Sequence, residues 1–199
     1  LYNQRMTNSW GPFGDGPASA RGKAFISPRD FTNPPEKWDE GDGNKWAYCN
    51  YGWNSTVFAE PYVGWQAHRK IVAIRDGSSN TVGFGEQYAK CGTNGGPGGH
   101  LWAYLAWWQP QGDQGWAAWF IPPNVSAGAW GNPLAPTSPP QERPSIDNCN
   151  PQNLQAMDAG GCLVGMLDGS VRSVTPSVNG ATWYAACFPN DGNALGSDW

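Results

Sequence analysis

Five cysteines, at positions 49, 91, 149, 162 and 187, and two histidines, His68 and His100, are the side chains of this 199-residue sequence best suited to nucleophilic or metal chemistry. No Cys-x-x-Cys pair occurs and the histidines lack metal-site spacing, which argues against zinc. The thiols read as disulfide partners; the odd count leaves one over or bridged to another chain, and spacing alone leaves the pairing open. A Cys91/His100 or Ser/His68 pair would be needed for nucleophilic catalysis, and two of Glu60, Glu86 and Glu142 for glycoside hydrolysis. Neither chemistry has a local signature, because the sequence contains no Gly-x-Ser-x-Gly elbow and no His-Glu-x-x-His. The string GDGPASARGKA has Pro17 where a phosphate loop needs its first Gly, and Lys23 precedes Ala24 instead of Ser or Thr. The expectation is a protein that is not an enzyme.

Oxygen ligands are the remaining chemistry. Asp191 and Asn193 occupy the first and third positions of a stretch with Gly196 sixth, as in a calcium loop, although Leu195 sits where an oxygen belongs and no bidentate Glu follows. Asn54-Ser55-Thr56 and Asn124-Val125-Ser126 match the N-glycosylation acceptor. Thirteen Trp could stack on sugars or fill contacts between proteins. Trp107, Trp108, Trp116 and Trp119 cannot all point inward from one strand. With Trp130 they form the expected interface or ligand set. Aromatic anchors favour a protein partner, another copy of this chain, with glycans as the alternative. A net charge of -4 with scattered arginines excludes a nucleic-acid role. Only 14% of residues are charged, as suits a secreted or assembled protein, and no apolar run approaches the ~20 residues of a membrane span.

These side chains must be positioned by short elements. Gly (27) and Pro (18) interrupt the chain too often for a helical fold, while 14% aromatics argue against disorder. Residues 1–44 read as irregular, with a short extended piece at 24–27 and an acidic turn at 39–44. An aromatic, strand-like run follows at 45–53. Residues 65–75 are a helical window ending at Asp76-Gly77, and in 81–86 the alternation puts Val82, Phe84 and Glu86 on one strand face. A Pro-rich excursion covers 122–144 and is a candidate interaction surface. Asp168-Gly169 reads as the two-residue turn of a hairpin in which Met166 faces Val171 and Val164 faces Ser173. The whole is expected to be one domain, 1–199, of β-rich α+β class with few helices.

Several blocks resemble one family. Residues 74–86, IRDGSSNTVGFGE, followed by Tyr88-Ala89-Lys90-Cys91, are similar to the "DGTSNT…FxEKYA-C" block of the prepilin-type processing-associated family abundant in planctomycete bacteria, named for a His, nine residues and Asp-Gly. Residues 157–172 resemble its defining C-terminal block, with Asp158 in place of the His. Phe25 to Asp30 resembles its "FLCPSD" with Ser27 in place of Cys, and Asn50 to Asn54 its "NYAAN". The resemblance implies a pilin-like head, an antiparallel sheet with long Gly/Pro/Trp-rich loops, displayed at the cell surface or secreted. It also implies a subunit of a surface filament or type II secretion pseudopilus, joined to the membrane only by an N-terminal helix upstream of Leu1. It implies a Cys91–Cys149 bridge, a second possible bridge between Cys162 and Cys187, and Ca²⁺ held by Asp191, Asn193 and Asp198.

Overall fold

The computed structural model describes residues 20–39, 45–58, 70–92, 98–102, 118–120 and 138–199. Strands β1 (Trp38–Asp39) and β2 (Lys45–Trp46) pair antiparallel, Trp38 opposite Trp46 and Asp39 opposite Lys45, while residues 40–44 of the expected acidic turn lie outside the described residues. Strands β3 (Tyr51–Asn54), β4 (Val82–Glu86) and β5 (Trp119–Phe120) belong to the main sheet. Strands β6 (Gln141–Glu142) and β7 (Gln155–Ala156) form a separate parallel pair, so the 122–144 excursion ends in a strand. The C-terminal hairpin of β8 (Cys162–Met166) and β9 (Val171–Val174) completes a five-stranded sheet ordered β5-β3-β4-β8-β9. Its neighbours run antiparallel except β3 and β5, which are parallel. Helices among the described residues are α1 (Ser55–Phe58) and α2 (Gly180–Cys187). The protein is therefore a β-rich α+β fold with few helices.

Two one-residue insertions decide which side chains face the core. In β4, Val82 pairs with Met166 and Phe84 already with Gly165, so Gly83 is the extra residue of a β-bulge. Val82 is consequently buried in the core while Phe84, expected beside it, is 48% exposed on the opposite, open face. The second insertion is in the hairpin. Its loop is three residues, Leu167 to Gly169, closed by Met166 N donating to Ser170 O at 2.9 Å and Gly169 N donating to Met166 O at 3.0 Å. Gly169 takes φ 89°, which only glycine adopts cheaply. The resulting register sets Val164 opposite Arg172 and Gly165 opposite Val171, one residue away from the expected pairing. Val171 is turned out to solvent, and the Arg172 guanidinium lies 5.5 Å from the Trp199 ring.

Helix α2 covers the core face. Trp183, Ala186 and Cys187 join Val82, Leu154, Cys162, Val164, Met166 and Val174 in one buried cluster. Asn179 caps the helix by accepting from Ala181 N at 2.8 Å, and the chain leaves the helix at Phe188, which precedes Pro189. Two other local expectations are corrected. Residues 24–27 begin inside a 3-10 turn, Lys23–Phe25, instead of an extended piece, and the described part of 65–75 contains only the 3-10 turn Ile71–Ala73. Both turns are only three residues long and contain no buried residue, too little to be held as a helix by an apolar face.

Candidate functional site

The densest polar chemistry lies where four sequence blocks meet beside the end of β4. Glu86 is 1% exposed and receives Arg29 Nη1 at 2.9 Å, Leu163 N at 3.0 Å and Ser27 Oγ at 3.5 Å. The same guanidinium reaches Asp158 Oδ2 through Nε at 2.9 Å and Nη2 at 2.8 Å, and donates to Gly161 O. Arg29 thus ties β4 to the segment that enters β8. Burial pushes the Glu86 carboxyl above its ordinary pKa even though Leu163 N and Arg29 favour its charge. Asp158 lies in the open, and its hydrogen bond from Arg29 holds it below the usual carboxylate range.

A second buried carboxylate anchors the same loop. Asp30 accepts from Thr32 N and Ala89 N, each at 2.8 Å, from Thr32 Oγ1 at 2.9 Å and from Asn50 Nδ2. Asn50 also accepts from Ser27 N at 2.8 Å and donates to Gln87 O. The Gln87 amide donates to Trp119 O at 2.9 Å, and a Cβ on Gly52 would collide with that amide, which explains a glycine inside β3. Gln155 accepts from Tyr88 N at 2.9 Å. His100 is fully buried, its two ring nitrogens 2.9 Å from Tyr88 O and Pro151 O, and burial pushes its pKa down. These side chains replace the ladder hydrogen bonds that irregular chain lacks, so buried backbone groups stay paired.

The expected sites distribute as follows. Cys91 and Cys149 are disulfide-bonded, with Cα atoms 5.1 Å apart, in a small cluster with Tyr88 and Met157. Cys91 is therefore not a nucleophile for His100. Cys162 and Cys187 are free thiols, contrary to the second bridge expected; they are fully buried in the α2 core, and burial drives both pKa values up. Cys49 is also free and buried, its thiol pushed up to about 11. Reduced reactivity follows for all three. The bridge closes 58 residues of separation, so the Cys91→Ser/Cys149→Ser pair should lose about 4 kcal/mol in a chain-entropy account. Urea unfolding of the oxidised wild type against the double variant measures this, and a loss under 1 kcal/mol would contradict it.

Trp119, expected at an interface, is only 5% exposed and packs edge-on against Trp53 at 5.6 Å. Trp107, Trp108, Trp116 and Trp130 lie outside the described residues, as do His68, Glu60 and Asn124. Asn54 is fully buried and donates to Val82 O at 2.7 Å and Cys187 O at 2.8 Å, so its acceptor motif is closed to glycosylation in the folded protein. Among the described residues no group of three or more His, Cys, Asp or Glu is arranged around a metal position. Asp198 accepts from Asn179 N at 2.6 Å and Thr182 Oγ1 at 2.8 Å, closing on the start of α2, and Asp191 Oδ1 accepts from Asn193 N at 2.8 Å. Asp191 Oδ2 is the one oxygen of these two carboxylates without a hydrogen-bond donor.

The Arg29, Asp30, Asn50, Glu86 and Gln87 cluster escaped sequence reasoning as a site. The available signal was the few polar residues embedded in otherwise aromatic or small-residue blocks: Ser27, Arg29 and Asp30 in 25–30, Asn50 and Asn54 in 50–54, and Glu86, Gln87 and Lys90 in 84–91. Asp158 and Asp168, ten positions apart, stand at the two ends of β8, one on Arg29 and the other in the hairpin loop. The family model described as "Protein of unknown function (DUF1559)", SBP_bac_10, matches residues 6–181. No curated protein and no solved structure matches the chain significantly. With the match spanning most of the sequence and the two ends of its H-X9-DG-type block bracketing one core strand, this chain belongs to the DUF1559 family.

Proposed function

We propose that the chain is a non-enzymatic structural subunit of a cell-surface or extracellular pilin- or pseudopilin-like assembly, associating with copies of itself. One observation carries the reading. The ionisable side chains gathered at the end of β4 are spent on holding the fold, whereas the open sheet face and its border expose four large apolar side chains, Phe84, Val171, Ile71 and Val72. Exposed apolar side chains gathered on one face support association, since the largest apolar patch of a protein is often functional. The Cys91–Cys149 bridge supports export to an oxidising compartment. The likeness of residues 157–172 and 74–91 to the processing-associated family supports the filament. Among the described residues no helix is long and apolar enough to cross a membrane.

Sedimentation and negative-stain microscopy of the exported full-length protein test the reading. Dimers, larger oligomers or filaments that form as concentration rises are expected, and monomers at every concentration would overturn it. A glycan array tests the alternative, an adhesive surface protein using Trp107, Trp108, Trp116 or Trp130. Binding lost on Trp107→Ala would replace the assembly reading by that one.

A further inference from the structure

The open face of the sheet holds an apolar groove of about 420 Å³. Phe58, Ile71, Ile74, Phe84, Met166 and Leu167 line it. Beside the groove stands a knob. Val72 is 91% exposed and directly follows Ile71, itself 59% exposed on the groove wall. A valine held this far into water by a 3-10 turn gains nothing from its own fold. Charges flank the two features with opposite sign. Lys70 is exposed two residues before the knob, and Asp168 is exposed between Leu167 and Gly169, which both line the groove. Asp168 keeps its charge, since Ser170 donates to it through both N at 2.9 Å and Oγ at 2.7 Å.

A knob and a groove on one face, each with a charge of opposite sign, form a self-complementary surface, the requirement of a two-fold contact. We infer that this face is a docking surface for a second copy of the chain, Val72 of each copy entering the groove of the other while Lys70 meets the other copy's Asp168. The inference rests on the self-association proposed above and names its surface, the open sheet face and the 3-10 turn beside it, instead of the Trp-rich segments. The exposed apolar area is on the order of a few hundred Å², a typical largest patch for a monomer. A standard interface needs roughly 800 Å² from each partner, so this contact is small and its dissociation constant is expected in the range of about 10 μM to 100 μM.

Sedimentation equilibrium of the full chain from about 1 μM to about 1 mM brackets that range. The wild type should pass from monomer to dimer. Val72→Glu should raise the dissociation constant at least ~100-fold by burying a carboxylate in the groove, with an unchanged melting temperature because the site is exposed. Lys70→Glu should raise it about tenfold, and added salt should weaken the wild-type dimer. Self-association that survives Val72→Glu overturns the inference and leaves the assembly reading standing. A wild type that is monomeric throughout overturns both. Saturable binding of the apolar dye anilinonaphthalene sulfonate to a monomeric wild type, undiminished by dilution, would make the groove a small-molecule site and also overturn the two-fold contact.

Discussion

Arg29→Ala should destabilise the protein by about 3 kcal/mol at pH 7, because it strands Glu86 as an unpaired charge at 1% exposure. The figure sits at the low end for broken buried pairs since the Arg29 side chain itself is 26% exposed. The pH dependence separates this cause from a mere loss of packing. Glu86 has a raised pKa in the folded state, so the native protein binds its proton first as pH falls. The cost of its burial is present above that raised value and relieved below it, through the window down to the unfolded carboxylate value near 4.3. Asp158 behaves oppositely: its pKa is lowered by Arg29, so its contribution is present above the unfolded value and lost as pH falls through the folded one. Removing Arg29 takes away the countercharge of both, raising Glu86 further. The deficit of the variant should therefore shrink between pH 7 and pH 5 as Glu86 takes up its proton. Arg29→Lys should recover only part of the loss, since one ammonium cannot fork across two carboxylates. Urea denaturation of wild type and both variants at the two pH values is the measurement. A deficit below 1 kcal/mol, or one that grows on acidification, would contradict the account.

Trp183→Ala should cost about 3 to 5 kcal/mol. Trp183 is 2% exposed, packs with Phe120 at 6.3 Å between ring centroids, and is the largest side chain that α2 contributes to the core. At roughly 2 to 4 °C per kcal/mol for a chain of this size, the melting temperature should fall by about 10 °C. Val72→Ala, on the exposed knob, should move it by less than about 2 °C. Thermal melts followed by near-ultraviolet circular dichroism compare the two. Equal shifts would mean that α2 is not the element holding the core face.

Residue types and their order carried much of the architecture. The density of Gly and Pro beside 14% aromatics predicts a β-rich α+β chain with few helices, and the structure has that form. Asp168-Gly169 marks the C-terminal hairpin correctly, because a glycine at positive φ is a local requirement that any register shares. The Cys91–Cys149 bridge, implied by family resemblance, is present. Periodicity also marks 81–86 as a strand.

Which way those elements face, and what they hold, follows from long-range packing. Gly83 and the additional loop residue, Leu167, each shift a strand path by one position. Side chains alternate with period two, so each insertion sends the neighbouring residues to the other face: Phe84 leaves the core for the open face, and Val171 turns outward. The polar cluster was illegible for a related reason. Arg29 meets Glu86 across 57 residues and Asp158 across 129, and no local rule couples positions so far apart. The sequence by itself determined the class of fold and the places where the chain must turn, since φ preference and hydrophobic composition act within a few residues. The groove, the knob and the buried carboxylates belong to the packed chain, because burial and charge pairing are settled only when distant segments exclude water together.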